Sequence, residues 1–400
     1  MTGPRTSGSR PLVLKFGGSA FADLDGYHRV ARYLVGRSGE ERRPLVVVVS
    51  AMSGTTGRLQ QTLDAVSADP PAAAAAMLLT TGETVSVALL AAALHAEGLS
   101  ACPVPAAGAG LLAEGHGDRA ELTSAAPAAL SGVLADCQVA VVPGGQAVDR
   151  AGRTVMLGRN SSDLSAAALA AALGSGTCEL FSDVPGVCTA DPYLVPEART
   201  LSRISYEGVR RMSRHGAKVV HEHAVDRAGR AGVRLWCRPF PWSGPPGDGT
   251  VVGEGPEAAV VVVHKDDVWS FRSARERRTA EGLLRAEGLG PTAFETANET
   301  CLTVPAGARG AARHLWTARR LDDRCLVTTL RADGGAEHTV VPRSDAAAEA
   351  RRRHGLLYPD LVGAPRPASA PPPKARSPHS DVLVTTAPAP DSAPGRKAPA

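Results

Sequence analysis

The feature that most constrains this chain is a repeated junction in which a short apolar, β-branched run passes at once into a glycine-rich turn. Leu12–Phe16 leads into Gly17-Gly18-Ser19, and Leu45–Val49 into Ser50-Ala51-Met52-Ser53-Gly54. Val139–Val142 leads into Pro143-Gly144-Gly145-Gln146, and Thr154–Leu157 into Gly158-Arg159-Asn160-Ser161-Ser162-Asp163. Phe181, closing the run from Cys178, leads into Ser182-Asp183-Val184-Pro185-Gly186. These runs, together with Val233–Cys237, are apolar throughout and belong in a sheet buried on both faces. Ala/Leu-rich helical stretches lie between them, among them Thr84–Ala96 and Leu164–Leu173. Strands alternating with helices predict an α/β fold with a mostly parallel sheet.

In such a sheet the turns gather at the carboxyl ends of the strands, where ligands bind. Glycine lets the backbone approach a ligand closely and aim N–H groups at it. A helix that starts after the turn favours an anion through its unpaired N–H groups and its dipole. One glycine turn alone is usually only a turn; five in one α/β segment point to a site. None matches GxxxxGK followed by Ser or Thr, and none is a good GxGxxG. A P-loop enzyme and an obvious dinucleotide binder are thus excluded.

Composition narrows the class further. Hydrophobic residues make up 44% and charged residues 21% of 400 positions, which is normal for a core-forming chain of two or three domains. A net charge of +4 is too small to argue for nucleic acid, and 4% aromatics provide no base-stacking platform. Seven cysteines without a CxxC pair make neither a disulfide nor a zinc framework, so a reduced, cytoplasmic setting is expected. No uninterrupted apolar run approaches the roughly 18 residues of a membrane span. The first ten residues are polar, so no secretory signal is expected.

Three regions follow from the composition. Residues 11–255 carry the strand and glycine-turn pattern. Residues 256–362 read as a small α+β region. Its expected strands are Val260–Val263, Val268–Phe271, Thr300–Val304 and Cys325–Leu330, with helices over Ala274–Glu287 and Ala308–Arg319. Thr339–Val341 and a helical stretch Asp345–His354 follow. Residues 363–400 hold ten of the 31 prolines and are expected to be disordered.

The charged residues of the turns each have two readings. Lys15, at the end of an apolar strand beside Gly17-Gly18, either snorkels to solvent or meets an anion. Asp163 is a helix-capping residue or a functional carboxylate. Arg159 is a solvated loop arginine or a fork for a carboxylate. Glu83 compensates the dipole of the helix it opens or pairs with a cation. Lys218, in His215-Gly216-Ala217-Lys218-Val219-Val220, reads locally as a surface lysine.

Seven stretches, in order and spacing, resemble the aspartokinases of the amino-acid kinase superfamily. They are LKFGGSAFAD (14–23), VVSAMSGTTG (48–57), LTTGETVS (79–86), LGRNSSDLSAAALAAAL (157–173), FSDVPGVCTADPYLVPEAR (181–199), ISYEGVRRMSRHGAKVVH (204–221) and GT (249–250). The resemblance covers about 245 residues. It implies a three-layer α/β/α sandwich followed by an ACT-like region. It also implies transfer of the γ-phosphoryl group of ATP to the side-chain carboxylate of L-aspartate, with Mg2+ held mainly by the nucleotide phosphates. The roles it implies are Lys15, Asp163 and Lys218 for catalysis. Lys15, Gly17, Gly18, Ser50, Ser182, Asp183, Cys188, Tyr193, Lys218 and Val219 would line the nucleotide, and Thr56, Glu83, Arg159 and Ser162 the amino acid. No protein metal site, no nucleic acid and no membrane are implied; a homodimer is.

The chemistry suits these residues. A carboxylate acceptor is already ionised at pH 7, so no general base is needed. Positioning and electrostatic stabilisation carry phosphoryl transfer. Several positions depart from the family. Cys188 and Tyr193 stand where tyrosine and arginine are usual, Ser161 where glycine, Gly57 where asparagine, and Glu222 where proline. Residues 260–330 are expected to form one ACT-like unit, with a truncated second unit at 336–362. A kinase for another small amino or carboxylic acid, and a catalytically weak regulatory homologue, are the alternatives. His28, His95, His116 and His354 are expected to be solvated, Arg351-Arg352-Arg353 to form a solvated helix face, and Cys102, Cys137, Cys178, Cys237, Cys301 and Cys325 to be small apolar fillers.

Overall fold

The computed structural model describes residues 10–41, 43–158, 160–217, 219–240, 249–264, 266–287, 289–296, 299–304 and 311–361. Arg159, Lys218, Gly288, Trp242 and the tail 363–400 lie outside the described residues.

Among the described residues, twelve strands precede residue 256: β1 (Leu12–Phe16), β2 (Leu45–Val49), β3 (Ala101–Pro103), β4 (Leu111–His116), β5 (Arg119–Ala125), β6 (Val139–Pro143), β7 (Gln146–Val148), β8 (Thr154–Met156), β9 (Thr177–Ser182), β10 (Arg203–Ser205), β11 (Arg234–Pro239) and β12 (Thr250–Gly253). Eight of them make one sheet in the order β10-β12-β11-β9-β1-β2-β6-β3. Every pairing is parallel except β11 with β12. Nine helices accompany them: α1 (Asp25–Glu41), α2 (Thr55–Val66), α3 (Ala72–Leu79), α4 (Thr81–Ala96), α5 (Ala106–Ala109), α6 (Ala128–Asp136), α7 (Ser162–Ala172), α8 (Tyr206–Arg214) and α9 (Glu222–Ala231).

The period-two alternation of the central strands divides the core into two layers. Leu12, Leu14 and Phe16 join Val47 and Val49 in a cluster with Val30 and Leu34 of α1 and Leu90 and Leu94 of α4. Val13, Val46 and Val48 face the other way, onto Ala166–Ala170 of α7 and Ala224–Ala228 of α9. Alanine suits α7 because every residue from Ser162 to Ala170 is buried, and small side chains let the helix lie close to the strands. The result is the expected α/β/α sandwich.

One expectation about this region needs correction. Thr154–Leu157 is not in the main sheet: β8 pairs antiparallel with β7 in a separate sheet of order β5-β4-β7-β8. A three-residue strand cannot be assigned to a sheet by apolar content alone. Ala72–Ala96 is long and apolar enough to cross a membrane by length and composition, although no uninterrupted run within it is. Half of its most apolar window is buried inside the protein. The α4 face bearing Val87, Leu90 and Leu94 packs on α1 and the sheet, which accounts for its composition.

The chain continues with β13 (Val260–Val263), β14 (Asp267–Phe271), α10 (Ala274–Ala286), β15 (Thr292–Glu295), β16 (Thr300–Val304), β17 (Arg319–Arg320), β18 (Arg324–Leu330), β19 (Ala336–Pro342) and α11 (Ala346–Leu357). Strands β15-β16-β14-β17 form one antiparallel sheet with α10, an ACT-like unit over Asp267–Arg320. The helix expected over Ala308–Arg319 is reduced, among the described residues, to the short turn Ala311–His314. Val260–Val263 does not open this unit. It pairs instead with β18, Val260 opposite Leu330, in the sheet β13-β18-β19 that α11 covers.

Candidate active site

Alternation along β1 sends Lys15 to the same side as Val13, towards the start of α7. Its Nζ lies 2.7 Å from Asp163 Oδ1, with the two side chains only 14% and 12% exposed. The other carboxylate oxygen of Asp163 accepts from the His221 backbone N–H at 3.4 Å. Asp163 is thus the carboxylate that holds the amine of Lys15, as well as an acidic residue in the first turn of α7. A side chain on Gly17 would come within 3.5 Å of Lys15 Nζ, and one on Gly18 within 2.9 Å of the Ala51 carbonyl. Both glycines therefore keep the backbone bare beside the lysine.

The turn after β2 closes against the start of α7. Ser50 Oγ donates to Ser162 Oγ at 3.0 Å. The turn after β6 fits beneath them: a Cβ on Gly144 would collide with Ser162 Cβ at 2.5 Å. Gly145, at φ 72°, takes the left-handed conformation and donates its N–H to Ser165 Oγ at 2.9 Å.

Glu83 sits in the first turn of α4, and its Oε1 accepts from the Ala51 N–H at 3.3 Å. Burial pushes its carboxyl up from 4.5 to about 7, against the lowering effect of its backbone hydrogen bonds. Gly82 permits this approach, since a Cβ there would meet Ala51 Cβ at 2.8 Å. Thr56 is half-buried in the first turn of α2, the helix that follows the same Ser50–Gly54 turn. The Ser50–Gly54 turn thus links the two helix starts: Ser50 meets Ser162 of α7, and Ala51 meets Glu83 of α4.

The strand beside β1 supplies the next rim. Phe181 pairs with Phe16 in register, and Gly17 N–H donates to the Phe181 carbonyl at 3.1 Å. Ser182 therefore ends β9 alongside Gly17. Asp183 is exposed and accepts from Tyr193 Oη at 3.0 Å, so two of the expected nucleotide residues meet each other. Cys188 is not brought to this rim. It is 6% exposed and packs with Val195, Val261, Val327 and Ala350, and burial raises its thiol to about 11. Val219 is half-buried against the main core.

Arg159 and Lys218 themselves lie outside the described residues. Arg159 follows Gly158 at φ 87° and precedes Asn160 at φ 61°, a left-handed conformation that asparagine tolerates better than most residues. Sequence reasoning missed His221, Ala51, Gly82 and Gly144. His221 has a signal, since it stands three residues after Lys218 at the N-cap of α9. Burial lowers its pKa and its Nδ1 has no hydrogen-bond partner among the described residues. Ala51 contributes only its backbone, and the two glycines contribute only the absence of a side chain. No group of three or more His, Cys, Asp and Glu among the described residues is arranged to hold a metal ion.

The chain thus combines a mostly parallel sheet with glycine turns, a Lys–Asp pair at the end of β1 and an acidic start to α4. Residues 10–238 match the Amino acid kinase family, and the chain belongs to it. The aspartokinase of Thermus thermophilus is 40% identical over 227 residues, 57% of this chain and 56% of that protein. The aspartokinase of Mycolicibacterium smegmatis is 39% identical over 228 residues, 57% of this chain and 54% of that protein. The match thus spans little more than half of these relatives. In fold, the chain is similar to E. coli aspartokinase III in complex with aspartate and ADP. The TM-score is 0.69 at 20% identity, covering 87% of this chain and 99% of that one. It is also similar to Clostridium acetobutylicum aspartate kinase, with a TM-score of 0.59 at 16% identity over 86% of this chain and 100% of that one.

Proposed function

We propose that this protein transfers the γ-phosphoryl group of MgATP to the side-chain carboxylate of L-aspartate. The observation that carries this reading is the pairing of opposite demands around one turn, where Ser50 meets Ser162 beside the Lys15–Asp163 pair and Ala51 meets Glu83. Lys15, with Gly17, Gly18 and Ser50, suits an anion, whereas Glu83 suits the ammonium of an amino acid. Burial raises the Glu83 carboxyl to about 7, and an ammonium beside it would favour the ionised form. The 40% identity to an aspartokinase across the kinase-like segment favours aspartate as that amino acid.

In this reading a carboxylate oxygen of aspartate forms the new P–O bond, and the bond from the γ-phosphorus to the ADP oxygen breaks. No proton needs to leave the nucleophile. Lys15 stabilises charge on the transferring group, and Asp163 fixes its amine in place. The bare backbone of Gly17 and Gly18 lets phosphate oxygens approach N–H groups. Ser50 and Ser162 hold the two turns together. Lys218 is proposed as the second phosphate-directed lysine, Arg159 and Thr56 as contacts of the amino acid, and Ser182, Asp183, Tyr193 and Val219 as the nucleoside side. Mg2+ would neutralise phosphate charge; the described residues provide no cluster for it, so the phosphates themselves would carry it. The reading includes a homodimer joined through the ACT-like unit, where Trp316 is 82% exposed.

Hydroxamate trapping with MgATP and a panel of acids headed by L-aspartate tests the reaction. Signal with aspartate is expected. Signal only with another acid would move the substrate, and no signal from folded protein would favour a regulatory homologue.

A further inference from the structure

The last described helix of the C-terminal region rests on the segment that follows β9. Two residues expected to be solvated are in fact buried at the join: His354 is 2% and Arg353 6% exposed. His354 Nε2 is 2.9 Å from Thr189 Oγ1. The same oxygen accepts the Arg199 N–H at 3.0 Å, so Thr189 Oγ1 ties the segment to both Arg199 and His354. Burial lowers the pKa of His354. Nearer the start of the helix, Arg351 Nε donates to the Leu194 carbonyl at 2.8 Å. Ala350 packs between Cys188, Ala190, Val195 and Ala198 on one side and Val261 and Val327 on the other.

The helix is itself clamped from behind. Arg353 donates to Thr329 Oγ1 of β18 at 2.9 Å and to Glu349 at 2.6 Å, and reaches Glu337 of β19 at 3.3 Å. Tyr358 Oη donates to the Ala259 carbonyl at 2.6 Å, on the connector between the two regions. Val261 N–H donates to the Thr189 carbonyl at 2.9 Å. A continuous set of hydrogen bonds therefore runs from the sheet β18-β19 through α11 to Thr189 and Leu194. The latter lies next to Tyr193, whose hydroxyl meets Asp183.

We infer that Arg351 and His354 are positioning residues, through which α11 holds the 185–199 segment in the shape that offers Asp183 and Tyr193 to the nucleotide. This rests on the reading that places the nucleoside against those two residues. It also gives Cys188 a different part, as a packing residue beneath the segment.

The test uses the full chain and measures MgATP and MgADP affinity directly, by calorimetry or with a fluorescent ATP analogue, beside aspartate affinity. Arg351→Ala removes an exposed side chain, and Thr189→Val removes the hydroxyl at constant volume while Thr189→Ser keeps it. The inference expects Arg351→Ala and Thr189→Val each to weaken nucleotide binding five- to twentyfold. Thr189→Ser should restore it to within twofold, and aspartate affinity should stay within twofold throughout. Amide exchange over residues 185–199 should accelerate in the two damaging variants. Unchanged nucleotide affinity in variants of a protein that binds MgATP would overturn this inference and leave the kinase reading standing. A wild-type chain that does not bind MgATP would overturn both. An equal loss of nucleotide and aspartate binding would mark the contact as merely structural and overturn it too.

Discussion

The amine of Lys15 and the carboxylate of Asp163 meet at 2.7 Å across the gap between the end of a central strand and the start of a buried helix. Their positions are 148 residues apart in sequence, and only the sheet and α7 bring them together. In the proposed reaction, a lysine held beside bare glycine backbone and only 14% exposed would be set to stabilise charge before substrate arrives. Lys15→Met and Asp163→Asn should therefore each lower kcat by about a hundredfold or more, the scale of losing one preorganised donor. Circular dichroism should show both variants folded, because neither change alters side-chain volume much. Activity within threefold of wild type in either would refute the assignment.

Glu83 yields a prediction about pH. The native carboxyl holds its proton up to about pH 7, whereas the unfolded chain releases it near 4.5. The native state binds the extra proton between those values, so this group makes stability fall as pH rises from 4.5 to 7. The effect is on the order of 3 kcal/mol at full ionisation. Glu83→Gln keeps the shape and removes the titration. Its Tm should exceed that of wild type at pH 8 and approach it at pH 4.5, while protection by aspartate is lost. A Tm difference that does not change with pH would refute the burial argument.

How far the site was legible depends on the kind of residue. Lys15 and Ser50 stand at the ends of neighbouring parallel strands, whose turns must gather at one edge, whereas Ser162, Asp163 and Glu83 were legible only as polar groups that open helices beside Gly158 and Gly82. The two-layer core could also be read, because alternate β-branched residues in buried strands leave few other arrangements. Ala51 gave no signal, since its part is a backbone N–H. His354 and Arg353 misled, because a polar helix face looks solvated until something packs on it. Among the described residues, the helix expected over Ala308–Arg319 is the short turn Ala311–His314, because helical period states only what a segment can do.

The glycines can be separated by what lies next to them. A Cβ on Gly144 would stand 2.5 Å from Ser162 Cβ, whereas one on Gly57 meets nothing within 4 Å. Gly144→Ala must push the β6 turn off the start of α7, at a cost of about 1–3 kcal/mol for overpacking. It should also lower kcat/KM at least tenfold. Gly57→Ala, in α2, should be neutral or stabilising by about 0.5–1 kcal/mol. Thermal denaturation of both variants checks the pair, and equal Tm values would contradict the packing argument.

The final prediction concerns a charge cluster that supports the sheet from inside. Glu179, 3% exposed, lies 2.7 Å from Arg37 of α1 and 2.7 Å from Arg238 of β11. The guanidinium of Arg238 stacks 4.1 Å from the centre of the Trp236 ring, which satisfies its face as the carboxylate satisfies its edge. Glu179→Gln removes the buried charge between the two guanidinium groups, while Arg37 keeps its 2.9 Å contact with Glu41. Breaking a buried pair in this way costs about 3–5 kcal/mol. Glu114 and Arg150 make an equally short contact, 2.6 Å, but with side chains 46% and 80% exposed. Solvent screens that pair, and Glu114→Gln should cost at most about 1 kcal/mol. Urea midpoints of the two variants, measured side by side, test whether burial rather than distance sets the value of an ion pair in this fold. Equal midpoints would show that the Glu179 cluster is open to water and not the internal brace its geometry describes.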